Sequence, residues 1–383
     1  MDSISVIGYR DLGKNVAQSL TNVSAGLYDR GCLHKVYPRG VVETDLPPDR
    51  IETPLPFGRY GPSFLWLLSE RVYEFDHRTY SMQLVDYFVS WKLESDAADV
   101  AYFDIPGFQR GIETSRDRGK LTIVRGSTEM TTGLHERLKR EYRRLGVDYS
   151  LPGTRRQFAE RRKQSLERAD KLIALSKFVR DSYVDAGLDP GKIRVINNAV
   201  DVEKFDRKTD YGGPFRALFV GQISVRKGIP TLLEAWERFD DGQSELVLCG
   251  SVSADVKAVS DPNGASNVTL TGWVDPEPYY RDATVFVLPS LSEGFAKVIL
   301  EAMSTGTPVV VSENSGGADV VEDGVEGFVV TPGDPSALVE KLQYFRDNPG
   351  EVERMGRNAR RTAEEHTWDR YVDEVLSFVE SGT

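Results

Sequence analysis

The stretch TVFVLPSLSEGFAKVILEAMSTGTPVVVS, residues 284–312, contains the elements that decide the fold class. Two short runs rich in valine, VFVL and VVVS, have the composition of buried strands, and the segment between them has the length and period of a helix. Gly306 is expected to end that helix, and Pro308 to open the second strand. A strand, a helix and a second strand in this order indicate a parallel sheet with crossover helices.

The same alternation continues on both sides of this stretch. RALFVGQI, ELVLCG and NVTLTG are strand candidates in the second half of the chain, and SISVIGY, ADVAYFDI, KLTIVRG, KLIALS and KIRVINN are candidates in the first half. Residues 206–215 between the two sets are polar and include Gly-Gly-Pro, which is typical of a linker. The sequence predicts an α/β protein with two domains, residues 1–200 and 201–365, followed by an amphipathic helix within 366–383.

Composition and charge exclude some classes of protein. The chain has 383 residues, a net charge of -11 and a pI of about 5.1, so it lacks the basic field with which proteins bind nucleic acid. Cys32 and Cys249 are far apart and lie in apolar contexts, which favours buried thiols in a reducing compartment. No apolar run approaches the ~20 residues of a membrane-spanning helix, and the first ten residues do not resemble a signal peptide. We therefore expect a cytoplasmic protein.

The start of the helix in the opening stretch is a candidate anion site. Ligands of open parallel sheets bind where strands end and helices begin. The backbone N–H groups of Gly294, Phe295 and Ala296 are expected to be unpaired in the first helical turn, where they attract a phosphate. Glu293 would then face a neutral polar group, and Glu301, two turns further, a vicinal diol such as a ribose. The alternative is that Glu293 only interacts favourably with the helix dipole, as a glutamate in the first turn does, and that Glu301 is solvated or lies at the edge of the core.

A second candidate follows the first strand of the second half, in FVGQISVRKGIPTLLEAW. A glycine turn, Gly221, leads to two adjacent cations, Arg226 and Lys227, and then to Gly228 and a helix. Positive charge at the carboxyl end of a strand is where a diphosphate requires it. The alternative is a surface loop that happens to be basic.

These motifs together resemble those of the family 4 glycosyltransferases, retaining enzymes of the GT-B fold that use nucleotide sugars. The resemblance is carried by GQISVRKG, GWV, PSLSEGFAKVILEAM and GTPVVVSENSGGADVVEDGVEGFVV, within residues 221–330. ERADKLIALSKFVRDSYVDAGLDPGKIRVINNAVDVEKF also resembles the end of the family's acceptor domain, whereas residues 1–160 match only loosely. The two glutamates with seven residues between them are the most specific mark. The resemblance implies two Rossmann-like domains that face a cleft and a C-terminal helix that packs back on the first domain.

The resemblance also implies a role for each matching position. Arg226, Lys227 and Glu293 would be the catalytic residues, with Glu293 on the hydroxyls of the donor sugar and Lys227 on the diphosphate. Where the family usually has an arginine after the glycine of VG, this chain has Gln222, and we expect Arg226 to compensate. The remaining donor-binding positions are Gly221 and Gln222 in the turn after the first strand, the backbone of Trp273 and Val274 near the base, Gly294, Phe295, Ala296 and Lys297 at the phosphates, and Glu301 at the ribose.

The mechanism expected from the resemblance is metal-independent transfer with retention of configuration. The sequence contains no Asp-x-Asp pair, and His34, His77, His135 and His366 do not have the spacing of metal ligands. The cations and the helix amides would stabilise the leaving nucleotide diphosphate, and the leaving phosphate would assist as the base during same-face attack by a glycan, lipid-linked or small-molecule hydroxyl. No cofactor is expected. The nucleotide, uridine, guanosine or adenosine diphosphate, is not specified by these residues.

Two other functions remain open from the sequence. A sugar-nucleotide epimerase or a phosphorylase could have the same fold, although a phosphorylase requires a pyridoxal-binding lysine and a longer chain. A non-catalytic partner could retain the fold without turnover, and Gln222 is the one residue that favours this alternative.

A run of basic residues between 137 and 171 is the last candidate. Glutamates alternate with the cations of this run, so a solvated helical face with weak ion pairs is one interpretation. The other is a surface formed by Arg155, Arg156, Arg161 and Arg162 that meets an anionic membrane or an anionic acceptor, at the inner face of the membrane in the first case.

Overall fold

The computed structural model describes residues 2–13, 18–55, 77–149, 153–239, 242–262, 264 and 266–381. Two six-stranded parallel sheets form the centre of these residues, one built from the first half of the chain and one from the second. Buried apolar side chains cover both sheets. The predicted fold class, an α/β protein with two Rossmann-like units, is confirmed.

The first sheet has the strand order β3-β1-β5-β6-β7-β8. Its strands are Ile4–Ile7 (β1), Leu33–Tyr37 (β3), Val100–Phe103 (β5), Leu121–Gly126 (β6), Lys171–Ala174 (β7) and Ile193–Val195 (β8), and the short strands Leu12–Gly13 (β2) and Val41–Glu43 (β4) pair separately. The helices described in this half are Gln18–Asp29 (α1), His77–Ser95 (α2), Gln109–Asp117 (α3), Thr131–Arg144 (α4), Gly153–Arg168 (α5) and Lys177–Asp185 (α6).

The second sheet has the order β11-β10-β9-β12-β13-β14. Its strands are Arg216–Val220 (β9), Glu245–Cys249 (β10), Val268–Gly272 (β11), Val285–Leu288 (β12), Val309–Ser312 (β13) and Gly327–Val330 (β14). Its helices are Ile229–Phe239 (α7), Ala254–Lys257 (α8), Glu277–Asp282 (α9), Lys297–Thr305 (α10), Pro335–Asp347 (α11) and Pro349–Glu364 (α12), and Trp368–Glu380 (α13) follows them.

The valine-rich runs of the opening stretch form the middle of the second sheet. Every residue of β12 and β13 is buried, as expected for strands with helices on both faces. Gly306 ends α10 in the left-handed conformation, at φ 83°, which agrees with the prediction. The sequence interpretation did not identify β3 or β14 as strands. β3 contains His34 and Lys35, so its hydrophobic pattern is interrupted, and β14 is only four residues long.

The chain crosses between the two halves at one place. The residue bridge between Val200 and Thr367 aligns the segment that leaves the first half with the segment that returns to it, and the Val200 N–H donates to the His366 carbonyl at 2.9 Å. The crossing lies near the expected boundaries, but the domain limits 1–200, 201–365 and 366–383 stay predictions.

Helix α13 packs against the first half, as the fold class predicted. Val372 lies so close to Gly26 of α1 that a β-carbon there would be 2.8 Å from Val372 Cγ2. Arg30 Nε donates to Asp373 Oδ1 at 2.8 Å, beside this contact. Lys171 Nζ donates to the Phe378 carbonyl at 2.7 Å, so a cation stabilises the negative end of the helix dipole.

The carboxyl edges of the two sheets face each other across a narrow interface. Ser176 Oγ donates to the Gly294 carbonyl at 2.6 Å, and the Lys177 N–H donates to Asp319 Oδ2 at 2.8 Å. A β-carbon on Gly294 would lie 1.8 Å from the Ser127 carbonyl oxygen. Glycine is therefore required where the second half meets the first. In the part of the chain that is described, no helix is both long and apolar enough to cross a bilayer.

Candidate active site

The candidate site lies at the carboxyl edge of the second sheet. All strands of this sheet run parallel, so the loops after β9, β10, β11, β12 and β13 emerge at the same edge. These loops contain every residue that the sequence assigned to the donor, except those on α10. The interface with the first half covers part of the same edge, which makes a cleft between the two sheets.

Two glycines place the dibasic turn after β9. Gly228 has φ 74°, and a β-carbon there would be 2.1 Å from the Pro289 carbonyl oxygen, so the turn lies directly against the loop after β12. Gly250 stands in a similar relation to Gly221, because its β-carbon would lie 1.9 Å from the Gly221 oxygen. Only glycine permits these approaches, and they bring Arg226 and Lys227 next to Glu293.

Glu293 forms an ion-pair cluster with both cations of that turn. Arg226 Nη1 donates to Glu293 Oε2 at 2.7 Å and to the Ser292 carbonyl at 2.8 Å. Lys227 Nζ pairs with the same Glu293 oxygen. Burial raises the pKa of the Glu293 carboxyl, but Lys227 and Arg226 outweigh burial and hold it below its usual range. The carboxylate therefore remains ionised between two cations.

The start of α10 differs from the prediction. The helix begins at Lys297, and the Ala296 N–H donates to the Ser315 carbonyl at 3.3 Å, so the expectation that the Ala296 amide is unpaired was wrong. Its partner comes from the loop after β13, which the pattern of residues 289–305 does not reveal. The N–H groups of Gly294, Phe295 and Lys297 have no acceptor among the described residues. These three N–H groups are the donors that remain available at the start of α10.

The loop after β13 supports the loop that contains Glu293. The Glu293 N–H donates to the Asn314 carbonyl at 2.7 Å, and Asn314 Nδ2 donates to the Leu291 carbonyl at 3.0 Å. Gly316, at φ 74°, approaches Gly294 closely enough that a β-carbon would lie 2.7 Å from the Gly294 oxygen. The sequence interpretation assigned no role to this loop, although its ENSGG sequence is typical of a turn.

Glu301 lies on α10, two turns from Glu293. The buried Tyr280 on α9 donates its hydroxyl to Glu301 Oε2 at 2.9 Å. Burial raises the pKa of the Glu301 carboxyl, and this hydrogen bond opposes the rise. One oxygen is thus held by the protein. The sequence interpretation missed Tyr280, because its contact with Glu301 depends on how α9 packs against α10.

Lys297 extends from the start of α10 toward the first half of the chain. Its Nζ donates to Gln18 Oε1 at 3.1 Å and lies 5.4 Å from the centre of the Trp368 ring. Burial, together with Arg125, lowers the pKa of Lys297 to about 8. Besides its backbone amide, this residue therefore adds a titratable cation to the cleft.

The residues assigned to the base and the Gly221–Gln222 turn lie at the same edge but make no contact that identifies a ligand. Trp273, directly after β11, is 90% exposed, and Val274 packs partly against the core. Gln222 is exposed beside Gly221. Their roles toward the nucleotide stay predictions.

The loop after β6 is the part of the first half that faces Glu293. It contains Ser127, Thr128 and Glu129, and Glu129 is only 2% exposed. Burial raises the pKa of the Glu129 carboxyl, whereas the neighbouring Ser292 and Arg137 lower it. The sequence interpretation missed this glutamate. Its position after a strand of the first sheet was the available indication.

The predicted arginine surface is wrong for two of its four members. Arg161 pairs with Asp86, which is fully buried, and Arg162 donates to Thr128 Oγ1. Both side chains therefore point into the first half. Arg156 is exposed, and the side chain of Arg155 lies outside the described residues.

The chain matches two family models. Residues 214–348 match the model described as Glycosyl transferases group 1, and residues 125–204 match the model described as Glycosyltransferase Family 4. The first range contains the whole donor-side cluster, and the second contains the loop of Glu129.

Curated relatives resemble about half of the chain. The D-inositol 3-phosphate glycosyltransferase of Streptomyces avermitilis is 31% identical over 239 residues, which are 54% of this chain and 50% of the relative. The alpha-maltose-1-phosphate synthase of Mycobacterium tuberculosis is 31% identical over 242 residues, 54% of this chain and 62% of the relative. The chain thus spans half to about three fifths of the length of these relatives.

Solved structures resemble the whole fold. Anabaena HepE in complex with UDP has a TM-score of 0.70 at 16% identity and covers 99% of this chain and 100% of its own, and HepE has also been solved with UDP-glucose. The sucrose-phosphate synthase of Thermosynechococcus elongatus has a TM-score of 0.67 at 18% identity, with coverage of 99% and 98%. The fold, the cluster after β9 and β12 and both family models agree: the chain belongs to the family 4 glycosyltransferases of the GT-B fold.

Proposed function

We propose that the protein is a retaining glycosyltransferase that moves a sugar from a nucleotide-diphosphate sugar to a hydroxyl acceptor. The observation that carries the proposal is the cluster of Arg226, Lys227 and Glu293 beside the open amides of α10. This combination of charges and donors occurs where loops of a parallel sheet bind phosphates. The family match supports the same assignment.

The charges of the cluster suit a diphosphate. Two cations share one carboxylate, which leaves one positive charge unmatched at the start of α10. A diphosphate would compete with Glu293 for Arg226 and Lys227 and would accept hydrogen bonds from the Gly294, Phe295 and Lys297 amides. Glu293 would then be free to accept hydrogen bonds from the hydroxyls of the sugar.

The ribose would bind at Glu301, two turns further along the chain than Glu293. Tyr280 holds Glu301 Oε2, so the other oxygen would accept from a ribose hydroxyl. Trp273, Val274 and the Gly221–Gln222 turn lie at the same edge and would surround the base. HepE binds UDP and UDP-glucose, which makes uridine the first nucleotide to test here.

In the proposed reaction, the bond between the sugar C1 and the phosphate oxygen breaks as the bond from C1 to the acceptor oxygen forms on the same face. The acceptor proton passes to an oxygen of the leaving diphosphate. Lys227, Arg226 and the amides of α10 stabilise the negative charge that develops on this group, which is the role a metal ion has in other transferases. We propose that the reaction does not require a metal.

Nucleotide release from UDP-, GDP- and ADP-sugars tests this function. A transferase releases the nucleotide diphosphate and forms a product whose anomeric configuration, read from its NMR coupling constant, equals that of the donor. Activity should persist in EDTA. An inverted product would contradict retention, and loss of activity in EDTA with recovery on adding Mg²⁺ would contradict metal independence.

The same assay separates the two alternatives. A non-catalytic partner would bind a nucleotide without releasing any from the sugar, and Gln222 in place of the family arginine is the observation that favours it. An epimerase would release nucleotide or convert the sugar with no acceptor present. Acceptor-dependent release, at a rate abolished by Lys227→Met, excludes both.

A further inference from the structure

A cavity between α4 and α5 lies on the acceptor side of the cleft. It has a volume of about 210 Å³, and the side chains of Met130, Ala159 and Leu166 form an apolar wall. This volume lies below the roughly 300–1,000 Å³ of pockets that hold drug-sized ligands, so it fits one ring or a short chain rather than an oligosaccharide. Its position relative to Glu293 follows from Glu129, which lines the cavity and lies beside Ser292.

Two polar atoms at this cavity lack hydrogen-bond partners. Glu129 is 2% exposed, and although its Oε2 accepts from Arg137 Nε at 3.4 Å, its Oε1 accepts no hydrogen bond. The buried Nδ1 of His135, which also lines the cavity, is likewise unpaired. Buried polar atoms without partners cost free energy, and such atoms often indicate a ligand that is absent.

A guanidinium at the same cavity has no carboxylate partner. Arg162 donates to Thr128 Oγ1, but no acidic side chain of the described residues pairs with it. Its neighbour Arg161, by contrast, pairs with Asp86. The lining contains three cations and two carboxylates, with Arg156 and Lys163 as the other cations and Glu129 and Glu160 as the acids. The cavity therefore has an excess of positive charge, and Arg162 carries it.

We propose that this cavity binds the acceptor, and that the acceptor is a small molecule with an anionic group, phosphate or carboxylate, that pairs with Arg162. Glu129 and His135 would bind its hydroxyls, which places the acceptor against the loop that touches Ser292 and Gly294. This inference rests on the proposed function and specifies its acceptor. A neutral acceptor would leave the charge of the half-buried Arg162 without an anionic partner.

A matched pair of substitutions on α5 tests the proposal. Arg162→Gln removes the unpaired cation. Arg168→Gln makes the same change on the same helix, but Arg168 lies outside the cavity lining and pairs with Glu113 at 3.0 Å. Arg162→Lys keeps the charge and removes the forked geometry.

The experiment is calorimetric titration, at saturating UDP, of compound pairs that differ in one anionic group: glucose with glucose 6-phosphate, glucose with glucuronate, inositol with inositol 1-phosphate, and glycerol with glycerol 3-phosphate. At least one anionic member should bind, ~10- to 100-fold more tightly than its neutral counterpart, the range for hydrogen bonds to a charged group. The phosphate and carboxylate pairs of glucose identify which anion is used. Arg162→Gln should remove the preference, and Arg168→Gln should leave it unchanged.

Several results would overturn the proposal: no anionic compound binds, the neutral counterparts bind equally, Arg162→Gln retains the preference, or anions bind only when UDP is absent and therefore occupy the diphosphate site. If Arg162→Gln does not fold, Arg162→Met, which also removes the charge, carries the test, and an unchanged preference in that variant contradicts the proposal, whereas Arg162→Lys should keep part of the preference. Affinity for UDP, GDP and ADP, measured in the same way, reports separately on the proposed function, because a protein that binds none of these nucleoside diphosphates fails that proposal whatever the anions do.

Discussion

Two pairs of adjacent cations, Arg226–Lys227 and Arg161–Arg162, look alike in the sequence but differ in their surroundings. The first pair stands in a turn between a strand and a helix, and both members share Glu293 at the cleft. The second pair lies in the middle of α5, where Arg161 pairs with the buried Asp86 and Arg162 donates to Thr128 with no carboxylate partner among the described residues. Only the first pair was assigned correctly to a face of the molecule from the sequence.

The difference shows what fixes the direction of a charged side chain. The edge of a parallel sheet determines where a turn after a strand must lie, so the position of Arg226 and Lys227 follows from the strand itself. A helix residue can face solvent, a neighbouring helix or a cavity, and α5 is polar on most of its surface. Its orientation depends on contacts with residues distant in sequence.

The largest effect is expected on stability, from Asp86→Ala. Asp86 accepts from the Gly111 N–H at 2.8 Å and the Arg110 N–H at 3.1 Å in the first turn of α3, besides pairing with Arg161. Removing it leaves the Arg161 guanidinium, whose side chain is 12% exposed, with Gln109 Oε1 as a partner but with no carboxylate, so the free energy of unfolding should fall by about 3–5 kcal/mol. Chemical denaturation measures the change.

The control for Asp86→Ala is Glu293→Ala, which removes the acid of the other pair. The free energy of unfolding should change less, since the Arg226 and Glu293 side chains are 32% and 17% exposed whereas Asp86 is fully buried. Equal losses of unfolding free energy would mean that the stability of the fold depends on Glu293 as much as on Asp86, and the two cation pairs would then not differ in their contribution to stability.

The next effect is on turnover, from Lys227→Ala. Both cations would stabilise the same leaving diphosphate, so each alanine substitution, at Lys227 and at Arg226, should lower kcat about 10²–10³-fold with little loss of stability. A severe effect at 227 beside a mild one at 226 would mean that Arg226 does not replace the family arginine. Gln222→Arg would then be expected to raise kcat, as steady-state rates can show.

A smaller effect is expected on nucleotide affinity, from Glu301→Ala. This acid extends the comparison to carboxylates. Both oxygens of Asp86 accept hydrogen bonds from the protein, whereas Tyr280 donates to only one oxygen of Glu301. Loss of a hydrogen bond to the ribose should weaken UDP binding by about 1.5–3 kcal/mol. Tyr280→Phe leaves the carboxylate in place and should weaken binding less. Unchanged UDP affinity in the alanine variant would remove the ribose role.

The sequence predicts only part of the fold and of the candidate site. The strands of the second sheet, the turn at Arg226 and the spacing of Glu293 and Glu301 were predictable because each depends on nearby residues. The pairing of the Ala296 amide with Ser315, the Tyr280 contact and the position of Glu129 were not, because each joins segments that meet only after packing. Arg161 shows the limit most clearly, since its partner Asp86 is 75 residues away.

The smallest effect is expected on the pH dependence of UDP affinity, from Lys297. This cation is half-buried, like Arg161, but stands at the start of α10, the helix that follows Glu293. Its pKa of about 8 is below the ordinary lysine value, so the free protein loses this charge as pH rises through 8. An anion bound at the start of α10 favours the protonated form, and affinity for UDP should therefore fall several-fold between pH 7 and pH 9. The fall should be absent in Lys297→Met. A pH dependence that survives this substitution would assign the titration to another group.

The account depends most on the claim that Arg226 and Lys227 bind the second phosphate of a nucleotide. Calorimetric titration with UDP and UMP, with the guanosine and adenosine pairs in parallel, measures the contribution of that phosphate as the ratio of the two dissociation constants. The ratio should be ~10–100 in the unmodified protein and should fall about 10-fold in Lys227→Met, where Arg226 and the amides of α10 remain. A control change at an exposed lysine, Lys139→Met, should leave it unaltered. A ratio that is the same with and without Lys227 would contradict the account, because the diphosphate would then bind elsewhere.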